Sequence, residues 1–129
     1  MVWGVVYSMK VLIVEDEPII RLGMVSSIED AGYAVVEASS ADEAISLLTQ
    51  DDEVRVVVTD VDMPGSMNGI RLAHYVRRRW PPIQLLVISG KVGVGTGELP
   101  AGVRFMSKPY QEPQLLHVIA TLSGMGGSA

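Results

Sequence analysis

Apolar residues follow two periods along this chain, and the two alternate. Short runs at Val11 to Val14, Val56 to Thr59 and Leu85 to Ile88 have the composition of strands covered on both faces, as in a parallel sheet. Weaker signals at Tyr33 to Glu37 and Val103 to Met106 bring the strands to five. Between them the spacing becomes helical. Pro18 can open a first helix carrying Ile19, Ile20, Leu22, Met24, Val25 and Ile28, with Gly32 as its C-terminal cap. Ser40 and Glu43 have capping-box spacing, in which each side chain serves an amide of the other end, and they open a helix with Ala44, Ile45, Leu47 and Leu48. A third helix starts at Asn68 or Gly69 and ends at Trp80, because Pro81 and Pro82 cannot continue it. Pro113 fits the first turn of a last helix with Leu115, Leu116, Val118, Ile119 and Leu122.

Strands alternating with helices imply right-handed crossovers and an α/β, doubly wound parallel sheet with helices on both faces. Residues 91–102 break the rhythm, since Gly93, Gly95, Gly97 and Pro100 lie where the fourth helix belongs. Each interior glycine costs about 1 kcal/mol against alanine, so that helix is expected to be short or irregular.

Composition narrows the picture. At 129 residues and 48% hydrophobic, the chain suits one domain with a real core. No apolar run is long enough to span a bilayer, and the absence of cysteine removes disulfides and zinc–thiolate sites. Residues 1–8 are apolar but lack the positive start and cleavage site of a signal peptide. They read as an N-terminal extension, with Met9 resembling an alternative start, residues 9–122 as the domain and 123–129 as a flexible tail. A cytoplasmic location is the default expectation. The net charge of −5 hides an asymmetry: residues 1–62 hold 13 of the 15 acids and three bases, residues 63–129 two acids and seven bases. In one α/β domain this suits an acidic pocket with a basic flank, not a nucleic-acid binder. Arg77, Arg78 and Arg79 read as the solvated last turn of a helix, where cations complement the dipole. His74 and His117 read as structural or exposed.

In a parallel sheet all strand C-termini open onto one edge, where such folds bind ligands. Glu15, Asp16, Asp60, Ser89 and Lys108 would therefore converge, although 93 positions separate the first from the last. Magnesium takes oxygen ligands, commonly one or two carboxylates with retained waters and phosphate oxygens. Asp16 and Asp60 are the best direct ligands, Glu15 would act through a water, and the backbone carbonyl of Asp62 is a further ligand. Manganese would suit the same donors. Carboxylates so close repel, so without metal one pKa should rise or Lys108 must compensate. Asp60, at the end of the central strand, can also be a nucleophile forming an aspartyl phosphate. Lys108 and the metal would then hold phosphoryl oxygens, with Ser89 donating a hydrogen bond.

With those residues in place, the chain resembles a response-regulator receiver domain of bacterial two-component signalling. The resemblance rests on Glu15-Asp16, on Asp60 followed by Met63-Pro64 and Gly69, on Ser89-Gly90 and on Lys108-Pro109, and it covers about residues 9–122. It implies a flavodoxin-like strand order 2-1-3-4-5 and an Asp60 that accepts phosphate from a histidine kinase or histidine phosphotransfer protein. It also implies a cis peptide before Pro109 and a switch role for Phe105, which turns inward as Ser89 moves to the phosphoryl group. Docking would use Ile19, Ile20, Pro109 and Tyr110. With seven residues after the last helix, output would pass through an unknown downstream protein, the chain acting alone as a monomer or weak homodimer, away from nucleic acid and membrane.

Three departures stand out. The loop from Met63 to Gly69 is one residue longer than its commonest form. The span from Ser89 to Lys108 is short and glycine-rich, which bears on the fourth-helix face many relatives use to dimerise. Asp62 adds a charge where the family tunes phosphate lifetime, so it is expected to alter autodephosphorylation. The alternative function is a receiver-like interaction module that needs no phosphate. A haloacid-dehalogenase-type phosphatase is rejected, because only Glu98 and Glu112 follow Asp62 and they do not form the downstream acidic pair such enzymes need.

Overall fold

Strand and helix alternate as far as the fourth strand in the computed structural model, which describes residues 9–90 and 98–127. The elements are β1 (Lys10–Val14), α1 (Pro18–Asp30), β2 (Ala34–Ala38), α2 (Ala41–Gln50), β3 (Val54–Asp60), α3 (Gly69–Arg79), β4 (Gln84–Ser89), β5 (Arg104–Ser107) and α4 (Glu112–Gly127). The five strands are parallel in the order β2-β1-β3-β4-β5. This is the doubly wound arrangement with helices on both faces.

Both faces of the sheet are apolar because alternate residues of each strand enter different cores. Leu12, Val14, Val57, Leu85 and Val87 face α2 and α3, packing against Ala44, Leu48, Leu72 and Val76. Val11, Ile13, Val56, Val58, Leu86 and Ile88 face α1 and α4, meeting Ile28, Leu115, Ile119 and Leu122. Two buried faces on one strand explain the unbroken apolar runs.

Local chemistry sets the element ends. Pro18 occupies the first turn of α1, and Gly32 closes it at φ +102°, a left-handed conformation that glycine adopts without a steric penalty. The Asn68 side chain caps α3 by accepting from the Arg71 amide at 3.0 Å. At α2 half of the expected capping box is present: the Ser40 hydroxyl accepts from the Glu43 amide at 3.1 Å. The reciprocal contact shifts by one residue. The Glu43 carboxylate accepts from the Ser39 amide at 2.6 Å and from the Ser39 hydroxyl at 3.0 Å, since Ser39 presents both donors to it.

Two other expectations need correction. Of the apolar spacing on α1, Met24, Val25 and Ile28 are buried but Leu22 is 68% exposed; Ile19 (84% exposed) and Ile20 also face outward, as a docking role requires. The helix packs on the sheet by its C-terminal half, so its apolar spacing is wider than its buried stripe. The last helix does not stop at Leu122 but continues to Gly127, so part of the expected tail is helical. Leu122 is fully buried, and the Ser123 hydroxyl donates to the Ile119 carbonyl at 2.8 Å, which holds the next turn. The expected extension at 1–8 and most of the glycine-rich stretch, residues 91–97, lie outside the described residues.

Candidate functional site

Five strand-end residues meet at the C-terminal edge of the sheet. Asp60 is the last residue of β3, where it is 9% exposed and in register with Ile88 of β4. Ser89, 1% exposed, ends β4 one residue further on. The Lys108 amide donates to the Ser89 carbonyl at 2.9 Å and the Val61 amide to the Ile88 carbonyl at 3.0 Å, so backbone bonds lock the three strand ends together. On the other side of β3, the Glu15 amide continues the β1 ladder onto the Ala38 carbonyl at 3.0 Å.

Oxygen atoms of Glu15, Asp16 and Asp60 lie within 4.8 Å of one another. The Lys108 ammonium reaches Asp60 Oδ2 at 3.2 Å, across 48 positions of sequence. Asp60 Oδ1 receives the Asp62 amide at 3.4 Å, while the Asp62 residue itself is exposed. Three carboxylates against one nearby ammonium leave a net negative pocket of hard oxygen donors, which matches the preference of magnesium.

Electrostatics single out Glu15. It is 2% exposed, and burial pushes its carboxyl up from 4.5 to about 7. The Glu17 amide, donating to Glu15 Oε2 at 3.0 Å, opposes that rise, the Asp60 charge adds to it and Lys108 subtracts from it. The expected rise thus falls on Glu15, and burial is its main cause, with the repulsion of the Asp60 charge a smaller contribution.

The other expected positions surround this pocket. Phe105, in register with Val87, is half-buried against the α2–α3 core. The Lys108–Pro109 peptide bond is cis. Tyr110 is half-buried, and burial raises its phenol pKa. Ile19, Ile20 and Tyr110 line one groove of about 280 Å³ with Gly23, Met24 and Leu115. The Ser27 hydroxyl donates to the Glu112 carboxylate across it, tying α1 to α4.

Sequence reading missed one support, Arg21, and the contact made by a residue it had named, Gly69. Arg21 Nη1 donates to the Glu15 carbonyl at 2.7 Å and its Nε pairs with Glu37 at 2.9 Å, so one guanidinium braces the acidic loop against β2. A lone arginine within an apolar helix stripe was the available signal. Gly69 packs against Asp60 itself: a Cβ there would sit 1.9 Å from the Asp60 carbonyl oxygen. The Gly69 amide donates to the Val61 carbonyl at 3.0 Å.

Comparison with known proteins fits this geometry. The family model for the response regulator receiver domain matches residues 11–120. The sensor kinase CckA of Brucella abortus is 38% identical over 112 residues, 84% of this chain but 12% of that protein. A chemotaxis protein CheY homologue of Campylobacter jejuni is 36% identical, and the match covers 93% of this chain and 99% of that one. Among solved structures, a response regulator receiver protein from Sinorhizobium medicae superposes with a TM-score of 0.85 at 26% identity, covering 92% of this chain and 96% of its own.

Proposed function

The chain belongs to the response-regulator receiver family, and from that membership we propose that it is a phosphoacceptor switch that takes a phosphoryl group onto Asp60 from a histidine kinase or histidine phosphotransfer protein. The observation that carries this reading is the placement of Asp60: a strand-end carboxylate with Lys108 at 3.2 Å and two further acids in reach. Receiver domains of this family are phosphoacceptors and not enzymes in the ordinary sense.

Phosphoryl transfer depends mainly on positioning and charge neutralisation. An Asp60 oxygen attacks phosphorus while the phosphorus–nitrogen bond of the phosphohistidine breaks, its electron pair leaving with the imidazole. Lys108 neutralises charge on the acceptor side. Ser89, at the adjacent strand end, would hydrogen-bond a phosphoryl oxygen. Glu15, Asp16, Asp60 and the Asp62 carbonyl would hold a magnesium or manganese ion, which when bound offsets charge on the phosphoryl oxygens. Movement of Ser89 would then release Phe105 to turn inward, and the altered surface would be read by a downstream protein. Asp62 would tune the lifetime of the phosphorylated state, which the decay rate of Asp62→Asn reports.

The donor protein would dock over the groove between α1 and Tyr110, where Ile19 and Ile20 stand exposed, and onto Pro109, which precedes Tyr110 in the chain. Ile20→Asp should slow transfer from a phosphohistidine protein while leaving acetyl phosphate as effective as before. The primary test is intact mass after incubation with acetyl phosphate and magnesium. One phosphoryl adduct, lost in Asp60→Asn, supports the reading; no adduct where another receiver is modified overturns it.

A further inference from the structure

We propose that the outer face of α3 is a docking surface for an acidic protein segment, separate from the phosphoacceptor pocket. Met67, Arg71, His74, Tyr75 and Arg78 line a recess of about 270 Å³ there. Arg71 and Arg78 are seven residues apart, which is nearly two helical turns, so both guanidiniums stand on one side about 10 Å apart along the axis. Both are exposed.

Arg55, Arg77, Arg79 and Arg104 are likewise outside the carboxylate pairs below, and what marks this face is that two such cations, Arg71 and Arg78, line one recess. Lys10 is paired with Asp51 and Glu53, Arg21 with Glu37 and Lys108 with Asp60. Among the described residues, Arg71 and Arg78 have no carboxylate partner, although the chain carries five more acids than bases. Their neighbours one turn away are Met67, Tyr75 and His74, which offer no negative charge. The run of three arginines, read from sequence as one solvated turn, divides into three roles. Arg77 donates to the Pro81 carbonyl at 3.3 Å and lies against Gly102, Arg79 sits 5.1 Å over the Trp80 ring, and Arg78 is left to the surface. The wall of the recess is held in place because His74 Nε2 donates to the Glu98 carbonyl at 2.8 Å.

Three occupants could meet two arginines, and the surroundings favour one. A nucleic acid presents a continuous phosphate track, which would run from α3 onto α2, where Asp42 and Glu43 share that side of the sheet and Asp51 and Asp52 follow. A second copy could offer its Glu15–Asp16 edge, but Glu15 is 2% exposed there and its carboxylate already accepts from the Glu17 amide. A short acidic segment meets Arg71 and Arg78 without reaching α2, and Met67 and Tyr75 between them supply the apolar and aromatic contact common in protein interfaces.

The probe is a labelled helical peptide with two glutamates seven positions apart and leucines between them. The expected result is saturable binding that weakens as salt rises, and amide NMR shifts centred on Met67, Arg71, Tyr75 and Arg78. Binding should weaken by about tenfold or more in Arg71→Glu/Arg78→Glu. That variant should still accept one phosphoryl group from acetyl phosphate, so failure here and failure of the phosphoacceptor reading are separable. Equal binding of a glutamine-substituted peptide, shifts centred elsewhere, tighter binding of single-stranded oligonucleotide, or no binding at millimolar peptide would each overturn the proposal.

Discussion

Gly69 and Asp60 touch backbone to backbone: the Cα of Gly69 is so close that an added Cβ would lie 1.9 Å from the Asp60 carbonyl oxygen and 2.9 Å from the Cα of Val61. The first residue of α3 is thus pressed against the strand end that presents the acceptor. Gly69→Ala should cost about 1–3 kcal/mol of stability, as overpacking against a rigid neighbour does, and should lower phosphoryl acceptance by shifting Asp60. Gly23→Ala, in α1 with nothing within 4 Å of the added carbon, should be neutral or gain up to about 1 kcal/mol. Urea unfolding of both variants, with intact mass after acetyl phosphate, checks the contrast.

The pH dependence follows from Glu15. Its carboxyl titrates near 7 in the fold against 4.5 as its ordinary value, so the fold favours the protonated form. The metal-free protein should therefore lose stability as pH rises from about 4.5 to 7, and Glu15→Gln should flatten that slope. Magnesium needs the ionised form, so its affinity should fall as pH drops below about 7, approaching tenfold per unit. Thermal melts across this range, with and without magnesium, measure both effects, and their signs are opposite.

Lys108 pulls the Glu15 pKa down while pairing with Asp60. Lys108→Met should raise the Glu15 midpoint above about 7, read by carboxyl carbon NMR. An unmoved midpoint would mean that the ammonium exerts little field at Glu15.

Arg21 positions the acidic loop through the Glu15 carbonyl without touching the carboxylates. Arg21→Ala should weaken magnesium binding roughly tenfold, in the range found when supports of metal ligands are removed. Magnesium titration monitored by amide NMR gives the affinity, and Arg21→Lys should restore only part of it, because one ammonium cannot span both oxygens.

The capping serine of α2 provides a stability control remote from the pocket. Ser40→Ala removes the hydroxyl that accepts the Glu43 amide and should cost about 1 kcal/mol. Phosphoryl acceptance should be unchanged by it.

Much of this site was legible in one dimension. Val11 to Val14, Val56 to Thr59 and Leu85 to Ile88 declare buried strands because both faces of a parallel sheet are covered, and the polar residues that end them must then lie on one edge. Pro18, Gly32 and Asn68 announce helix ends through their own backbone chemistry. Where a reading needed more than neighbours in sequence, it went astray. The apolar spacing on α1 includes Leu22, yet Leu22 is 68% exposed because the sheet lies under only the second half of the helix. Glu43 found Ser39 in place of Ser40, since its reach depends on how the chain enters the helix.

Sequence alone determined which residues stand at strand ends and what chemistry they bring, because burial pattern and turn propensity are local. Tertiary structure decided the distances: Lys108 at 3.2 Å from Asp60, three acids within 4.8 Å, and a glycine backbone against the acceptor. Those depend on the sheet order, which places β1 and β4 on either side of β3, and on helix packing that brings α3 down onto Asp60. Burial of Glu15 and its raised pKa follow from that packing, since desolvation comes from neighbours distant in sequence and close only in the folded protein.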